Sequence, residues 1–309
     1  MILTVTLNTS IDKAYYVDDF KIGEVVRVKK AIYSAGGKGL NVSRVLSVLG
    51  EPVIATGFTG GCAGKFIENE LDNSGISHRF VHIEGETRSC INIIDNYTGI
   101  QTELLEPGPA VNEKNIEDFI STYEELIESC DLITLSGSAP NGVEPKIYAK
   151  LIDMGKTHGK KVILDTSGEY LKGGIEASPT LVKPNKKEAE LLLNMTIENV
   201  EDAKLAAKKL LEMGVEISVI SLGSKGAVLA NGEDVLYAPA PRIKAVNTVS
   251  CGDAMIAGFA VALLRKYSIA EMLRLGVAVS AANAMTAETG RCKREDVERL
   301  LKNVSVSKI

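Results

Sequence analysis

Asp253 is the carboxylate that the sequence places best for accepting a proton. It follows Ser250, Cys251 and Gly252 in a segment that we predict to be a turn opening an apolar helix. Gly252 permits a close backbone approach, so the amide groups of this turn can point at a ligand beyond the helix start. Such a turn can hold a transferring phosphoryl group. A lone Gly–Asp pair at a helix start is more often a simple partner of the helix dipole, and both roles stay open at this point.

A second glycine-rich segment is also predicted to open a helix. Gly36, Gly37 and Gly39 surround Lys38, and an apolar-periodic run follows them. The glycine spacing and the residue after the lysine do not fit a Walker loop, so nucleotide binding is not inferred from this segment. A tight strand-to-helix turn with a solvated lysine is one interpretation. The more specific interpretation is that Lys38 and Asn41 bind a hydroxyl or phosphate of a substrate.

Two further segments have good structural explanations of their own. Asn185 follows Pro184 at the predicted end of a strand, and Glu188 stands three residues later, which is a capping-box pattern. The glycine-rich turn from Ser221 to Gly226 follows an apolar strand and is as ordinary in a hairpin as it is suitable for nucleotide phosphates. Neither segment decides the function by itself.

The elements that must position these residues alternate from about residue 130 onward. Short β-branched runs are followed by helical patterns, which is typical of a parallel sheet wound by helices. We predict strands at 132–135, 162–165, 180–183, 217–222 and 226–230, and helices at 146–158, 186–193, 252–266, 270–288 and 294–302.

The first third of the chain has a different pattern. Segments 14–20, 24–32, 90–96 and 101–105 are strand-like but separated by turns, so we expect them to pair into a small sheet. Residues 1–7 and 53–58 are predicted strands of the main sheet, with helices near 39–49 and 63–74. The expected architecture is one α/β domain over 1–309, with a β lid formed by segments near 12–34 and 88–106.

Composition excludes several classes of protein. Apolar residues make up 45% of the 309 positions, charged residues 24%, and the net charge is −5, so nucleic acid is not an expected partner. The N-terminus lacks the features of a secretion signal, and the apolar stretch 254–264 is shorter than the roughly 20 residues that span a bilayer. We therefore expect a cytoplasmic protein without a membrane partner. The five cysteines and three histidines show no disulfide or zinc spacing.

Taken together and in this order, the segments resemble the ribokinase-like (PfkB) carbohydrate kinases over essentially the whole chain. The sequences TLNTSID at 6–12, GGKGLN at 36–41, TRSCIN at 87–92 and TELLEPGP at 102–109 are most similar to the branch of tagatose-6-phosphate kinases and 1-phosphofructokinases. That branch acts on sugars that already carry one phosphate. The resemblance implies a three-layer α/β/α domain with a mostly parallel sheet and a small β lid, ATP and Mg²⁺ as cofactors, and a homodimer joined through the lids.

The resemblance also implies roles for individual residues. Asp253 would accept the proton of the attacking hydroxyl, while the amides of Ser250, Cys251 and Gly252 would stabilise charge on the γ-phosphoryl group. The sugar phosphate would be bound by Asp12, Gly37, Lys38, Asn41 and Arg88, with Arg27 from a lid strand. ATP would be bound by Lys183, Asn185, Ser221, Gly223, Gly226 and Asn283, and Glu188 would organise Mg²⁺ through water.

The sequence departs from the pattern of this branch at two places, the loop before Asp12 and the turn before Asp253. Thr9 stands where proline is common in this branch, and Ser250–Cys251 replaces Gly-Ala or Gly-Ser. Because the turn would act through backbone amides, a change of side chain is tolerable if its conformation survives. Cys251 is interpreted as a packed, inert thiol in preference to an oxidisable one.

Three hypotheses follow. The leading one is a kinase that makes a bisphosphate from tagatose 6-phosphate or fructose 1-phosphate, with fructose 6-phosphate less favoured, because Lys38 and Arg88 accompany an intact Gly252–Asp253. The alternatives are a kinase of an unphosphorylated sugar or nucleoside, and a sensor that binds a sugar phosphate without catalysis.

Overall fold

The computed structural model describes residues 1–232 and 234–309, and its largest feature is a ten-stranded sheet that we call the main sheet. From one edge to the other the order is β14-β13-β12-β11-β10-β9-β8-β1-β4-β5. The bounds are β1 Ile2–Thr6, β4 Val53–Thr59, β5 Ser77–His82, β8 Leu132–Ser136, β9 Lys161–Asp165, β10 Leu181–Val182, β11 Ile217–Ser221, β12 Ala227–Asn231, β13 Asp234–Ala238 and β14 Ser307–Lys308. The strands from β11 through β10, β9, β8, β1 and β4 to β5 pair in parallel, and β12 to β14 continue the sheet antiparallel.

Helices cover both faces of the main sheet. One core packs α1 Lys38–Val48, α2 Gly61–Asn73, α8 Cys251–Leu264, α9 Ile269–Ala284 and α10 Arg294–Leu301 against the first face. A second core packs α3 Glu113–Ser129, α4 Ile147–Thr157, α5 Gly168–Ile175, α6 Lys186–Leu193 and α7 Val200–Glu212 against the other. Strands buried on both faces carry continuous apolar runs, as residues 162–164 of β9 show. The predicted three-layer α/β/α fold with a mostly parallel sheet is confirmed.

Four strands of the first third form a separate sheet, which we call the small sheet. Its order is β3-β2-β6-β7, with bounds β2 Ser10–Val17, β3 Lys30–Gly36, β6 Arg88–Asp95 and β7 Gln101–Leu105. The predicted strand at 24–32 is wrong, because residues 24–29 are loop and the strand that pairs with β2 begins at Lys30. The valines of that segment have high strand propensity, but propensity makes no strand where no partner is available.

Some elements were not anticipated by the sequence patterns. They include the strand β5 and the helices α3 and α7. Both helices begin with a capping box, formed by Asn112 with Asn115 and by Asn199 with Asp202. Neither box has the Glu or Gln of the usual sequence pattern, so a search for that pattern would have missed them. The helix predicted at 270–288 ends earlier, at Ala284.

The topology brings several loops together at the carboxyl ends of the parallel strands, which from here on we call the edge of the main sheet. In an open α/β sheet, ligands bind beyond the carboxyl ends of the parallel strands. Here Asp165 closes β9, Lys183 follows β10, and α1 and α8 both begin at the same edge. Among the described residues, no helix combines the length and the apolar character needed to cross a membrane.

Candidate active site

A cavity of about 780 Å³ lies where the small sheet faces this edge of the main sheet. That volume is within the usual range for pockets that bind small molecules. The cavity brings together most of the residues predicted from sequence: Asp12, Gly37, Lys38, Asn41, Arg88, Lys183, Asn185, Glu188, Ser221, Gly223, Ser250, Cys251, Gly252 and Asp253.

Asp253 lies in the first turn of α8 and is buried, with 5% of its surface exposed. Ser250, at the helix N-cap, has a positive φ of 63°, so the chain turns sharply just before the helix. One carboxylate oxygen of Asp253 accepts a hydrogen bond of 2.8 Å from the Asn41 amide. Burial raises the pKa of Asp253 to about 7, with Asp165 adding to the rise while Lys38, Asn41 and Lys183 oppose it. A carboxylate with such a pKa is suited to general base catalysis near neutral pH.

Asn41 has partners on both ends of its amide. Its nitrogen donates to Asp253, and its oxygen accepts from the buried guanidinium of Arg44, three residues later on α1. Sequence reasoning assigned Asn41 to substrate hydroxyls and did not identify Arg44, which the pattern placed within an apolar-periodic run. The geometry adds a function that spacing alone did not indicate, because Asn41 contacts the candidate base directly.

A buried carboxylate that the sequence analysis did not select joins two lysines. The Asp165 oxygens lie 3.4 Å from the Lys38 ammonium and 3.3 Å from the Lys183 ammonium. Burial opposes the charge of Asp165, but Lys183 and Lys38 together hold the pKa of its carboxyl below the ordinary value. Burial likewise opposes the charge of Lys38, and Asp165, Asp253 and Glu188 more than compensate, so its pKa is raised.

This group places fixed positive charge beside the turn that precedes Asp253. A methyl group added at Gly252 would lie 3.2 Å from the Lys183 ammonium, so this lysine packs directly against the turn. The sequence signal that could have found Asp165 is an acidic residue at the end of an otherwise apolar parallel strand. Lys183 can therefore stabilise negative charge that develops next to the backbone amides.

The small sheet supplies Asp12 and Arg88 to the opposite wall. Asp12 accepts a hydrogen bond of 2.8 Å from Ser10, and burial raises the pKa of its carboxyl. Gly36 leaves the space that this carboxylate occupies, since a methyl group there would lie 2.0 Å from an Asp12 oxygen. Arg88 donates 3.1 Å hydrogen bonds to the backbone oxygens of Asn8 and Glu106, which fix the guanidinium at the cavity wall.

The remaining wall is formed by α6 and the turn after β11. The predicted capping box is confirmed, because the Asn185 side chain accepts from the Glu188 amide and the Glu188 carboxylate accepts from the Asn185 amide. Ser221 and Gly223 line the cavity next to this helix start. Helix starts and glycine-rich turns both present amide groups that suit phosphate.

No cluster of three or more acidic, histidine or cysteine side chains that could hold a metal ion occurs among the described residues. Glu188 lines the cavity with a half-buried carboxylate, one oxygen of which accepts from the Asn185 amide. Magnesium is commonly held by one or two carboxylates, several waters and substrate phosphates. The residues present therefore fit a magnesium ion that arrives with a nucleotide, and they do not fit a metal held by protein ligands alone.

Three predicted site residues do not line the cavity. Arg27 is exposed in the loop before β3, and Gly226 has a positive φ of 97° and packs against the backbone of Ala238. Asn283 is buried behind the turn that precedes Asp253, where its amide donates to the Val249 oxygen over 3.1 Å. The predicted ligand contacts of these three residues stay predictions.

Cys251, the first residue of α8, lies beside Asn283 of α9. The Asn283 amide is 3.6 Å from the sulfur, and burial raises the pKa of the Cys251 thiol. A thiol with a raised pKa forms little thiolate at neutral pH and reacts slowly. This agrees with the interpretation of a packed, inert cysteine.

Comparison with known proteins identifies the family to which this arrangement belongs. Residues 5–296 match the family described as pfkB family carbohydrate kinase. A tagatose-6-phosphate kinase from Staphylococcus epidermidis is 38% identical over 312 residues, covering 100% of each chain.

Solved structures agree with this match. A protein described as a possible 1-phosphofructokinase from Thermotoga maritima has a TM-score of 0.91 and 30% identity, with coverage of 100% of this chain and 99% of that one. Phosphofructokinase-2 from Escherichia coli, solved in complex with substrates and products, has a TM-score of 0.91 and 28% identity, with 98% of both chains covered. This chain is a member of the pfkB family of carbohydrate kinases.

Proposed function

We propose that this protein transfers the γ-phosphoryl group of ATP to a hydroxyl group of a ketohexose monophosphate, with Asp253 as the general base. The observation that carries the proposal is the cavity that holds a buried carboxylate of pKa about 7 together with Arg88 on the facing sheet. The relatives named for tagatose 6-phosphate and fructose phosphates support this substrate class.

In this proposal the sugar lies between Asp12 and Asp253. Arg88 and Lys38 bind the phosphate that the sugar already carries, because a guanidinium fork matches two phosphate oxygens and an ammonium adds charge. Arg27 could reach that phosphate only if its loop or a second subunit brings it there. Gly37 also lines the cavity, so its backbone is within reach of the ligand.

The chemical step needs one proton transfer and one displacement. Asp253 accepts the proton of the sugar hydroxyl, the hydroxyl oxygen forms a bond to the γ-phosphorus, and the bond to the β-phosphate oxygen breaks to release ADP. In this proposal the backbone amides of Ser250, Cys251 and Gly252 stabilise the charge on the transferring group, and Lys183 packs against Gly252. The Cys251 amide also donates to the Thr248 oxygen over 3.4 Å. Phosphoryl transfer depends mainly on such positioning and electrostatic stabilisation.

ATP would lie along the wall formed by Asn185, Ser221 and Gly223, with Lys183 near the phosphates. Glu188 would hold the accompanying Mg²⁺ through water, and the ion would neutralise charge on the phosphates. Gly226 shapes the turn after β11 from outside the cavity, and Asn283 supports the catalytic turn. ATP and sugar phosphates are metabolites of the cytoplasm, where we place the reaction.

We further propose that the small sheet acts as a lid and joins two subunits. The loop before β3 and the two edge strands, β3 and β7, expose large apolar side chains, among them Ile22, Val25, Tyr33 and Leu104. A small sheet with exposed edges and apolar side chains needs cover from another surface. A homodimer joined through these sheets provides it.

The experiment that tests the function is a substrate panel with ADP release as the readout. Turnover is measured with tagatose 6-phosphate, fructose 1-phosphate, fructose 6-phosphate, fructose, ribose and adenosine at equal concentration. We expect the highest kcat/KM on tagatose 6-phosphate or fructose 1-phosphate. Higher kcat/KM on any unphosphorylated compound would overturn the substrate class, and binding of sugar phosphates without any turnover would indicate a sensor.

A further inference from the structure

Arg44 is a buried cation that lies behind the candidate base. Its exposed surface is 6%, and it donates to the Asn41 side-chain oxygen and to the backbone oxygens of Ala35 and Thr289, the last over 3.2 Å. In residues 1–232 and 234–309 no carboxylate lies within ion-pair distance of it. Burial of a cation without a paired anion is costly, so the position calls for an explanation.

The chemistry of Arg44 fixes the orientation of the Asn41 amide. A guanidinium group has only donors, so the group that faces it must be an acceptor. The Asn41 oxygen therefore faces Arg44, and the Asn41 nitrogen is left to face Asp253, which it contacts over 2.8 Å. A nitrogen donor favours the ionised carboxylate of Asp253. If the amide turned over, its oxygen would instead favour the protonated acid.

Packing holds Asn41 from a second side. Gly290 has a positive φ of 64°, and a methyl group added there would lie 2.8 Å from the Asn41 side-chain oxygen. The Gly290 amide also donates to the Ser250 hydroxyl over 2.6 Å. The loop that contains Thr289 and Gly290 thus ties Asn41, Arg44 and the catalytic turn into one arrangement.

We propose that Arg44 is a positioning residue that, through the Asn41 amide, keeps Asp253 in its ionised, proton-accepting form. This inference rests on the proposed function, since it takes Asp253 as the base. Arg44 itself does not line the cavity, and it acts on Asp253 through the orientation of the Asn41 amide. Its charge also faces Asp12 and Asp253, without an ion pair to either.

Other titratable and charged groups around these residues stay in place when Arg44 alone is replaced. These groups, given with the element that carries each, are Lys38 on α1, Asp165 at the end of β9, Lys183 after β10, Cys251 on α8, Asp12 on β2, Glu70 on α2 and Arg291 after α9. A change in the titration of Asp253 after replacement of Arg44 is then assigned to Arg44 and the amide that it orients.

The test is the pH dependence of kcat/KM for the sugar phosphate in Arg44→Met, Arg44→Lys and Asn41→Ala. In Arg44→Met the acid limb should move to higher pH by about one unit, which is about a tenfold loss at pH 6. Arg44→Lys keeps a donor-only cation and should restore most of the wild-type profile. Arg44→Met added to Asn41→Ala should move the limb little further, because the two changes remove the same contact.

Arg274→Met is the matched control. Arg274 also donates to a backbone oxygen, that of Val304, over 3.2 Å, but it lies outside the cavity. It should leave the profile unchanged. If Arg44→Met is too unstable to assay, Arg44→Gln replaces it. Glutamine can still bond the two backbone oxygens but leaves both amide orientations of Asn41 open, so a smaller shift in the same direction is expected.

The inference is overturned if the acid limb does not move in Arg44→Met or Arg44→Gln. It is also overturned if the shifts add in the double variant, because Arg44 would then have only a structural role. The proposed function fails separately. If Asp253→Asn retains wild-type turnover, Asp253 is not the base, whatever the Arg44 variants do. If Asp253→Asn is inactive and the Arg44 limb is unmoved, only the positioning role is lost.

Discussion

The main sheet and the small sheet line the same cavity with side chains in different physical states. Asp165 and Lys183, at the ends of main-sheet strands, are 1% and 3% exposed and have fixed partners. By contrast, all five residues of β7 in the small sheet are exposed, and β2 is half-buried along most of its length. Fixed neighbours displace the pKa values of the buried carboxyls of Asp165 and Asp253, whereas the exposed side chains of β7 await a ligand or a second surface to complete their surroundings.

This difference indicates a division of labour. The edge of the main sheet holds the groups whose charge state must be set before the substrate arrives, so changes there should affect kcat. The small sheet holds groups that a sugar phosphate would cover, so changes there should affect KM and assembly. The predictions below test this division.

The largest effect is expected from Asp253→Asn. An asparagine keeps the shape of the side chain but cannot accept the proton, and general base catalysis contributes about 10² to 10⁴ in rate. We expect kcat to fall by about 10³ while KM for the sugar phosphate changes little. Steady-state kinetics measure both, and a variant in which KM rises while kcat is kept would contradict the assignment of chemistry to the main-sheet edge.

Arg88→Met is the corresponding change on the small sheet. It removes a guanidinium held by the backbone oxygens of Asn8 and Glu106, and charge-assisted hydrogen bonds contribute about 1.5 to 3 kcal/mol. KM for the sugar phosphate should rise about 10- to 100-fold, with a smaller change in kcat.

The matched control for this change is Arg79→Met. Arg79 lies on β5 and pairs with Glu125 over 2.7 Å at the surface, outside the cavity. Its loss should leave both kinetic constants unchanged. If Arg88→Met lowered kcat as strongly as Asp253→Asn without raising KM, the two sheets would not divide binding from chemistry.

Local sequence patterns predicted the helix starts of the site and missed the contacts between them. The turn before Asp253 and the capping box of Asn185 and Glu188 are encoded by neighbouring residues, so spacing is enough to recognise them. Asp165 and Arg44 acquire their roles from segments far away in the chain, such as Lys38 for Asp165 and Thr289 for Arg44. No local pattern records which buried charges meet after folding.

The error at 24–32 has the same physical origin. Three valines in nine residues favour a strand, yet a strand exists only where a neighbour offers hydrogen bonds, and β2 pairs with Lys30–Gly36 instead. In the main sheet the strands are buried on both faces, so apolar runs such as residues 162–164 of β9 gave the correct elements. The exposed strand β7 has the bounds predicted for it, so exposure alone does not explain the error at 24–32.

A smaller effect is expected on stability as a function of pH. Because the pKa of Asp253 is raised from about 4 to about 7 on folding, the folded protein holds this proton more tightly than the unfolded chain. Its carboxylate therefore destabilises the fold increasingly as the pH rises from about 4 through about 7. Asp253→Asn removes that cost, and the free energy of unfolding at pH 8 should rise by about 2 kcal/mol, with little change at pH 4.

Asp165→Asn has the opposite sign and serves as the comparison. The pKa of Asp165 is lowered on folding, so its charge stabilises the fold above the unfolded pKa, and this contribution is lost as the pH falls through the folded pKa. Its removal should destabilise the protein at pH 8 by about 3 kcal/mol, because two lysines lose their buried partner. Denaturant unfolding at several pH values measures both variants, and equal signs at pH 8 would contradict the opposite pKa displacements.

The smallest effect on chemistry is expected from Ile22→Asp in the loop before β3. Ile22 is 96% exposed, so the change costs a folded subunit little, but a buried aspartate would disfavour contact between two small sheets. Light scattering at micromolar concentration should show a dimer for the wild type and a monomer for the variant, with kcat within a few-fold of wild type if the catalytic groups belong to one subunit. Leu191→Asp is the matched control, since Leu191 is 85% exposed on α6 and should leave the dimer intact. A wild-type monomer, or a variant that stays dimeric, would remove the assembly role from the small sheet and leave it with substrate binding alone.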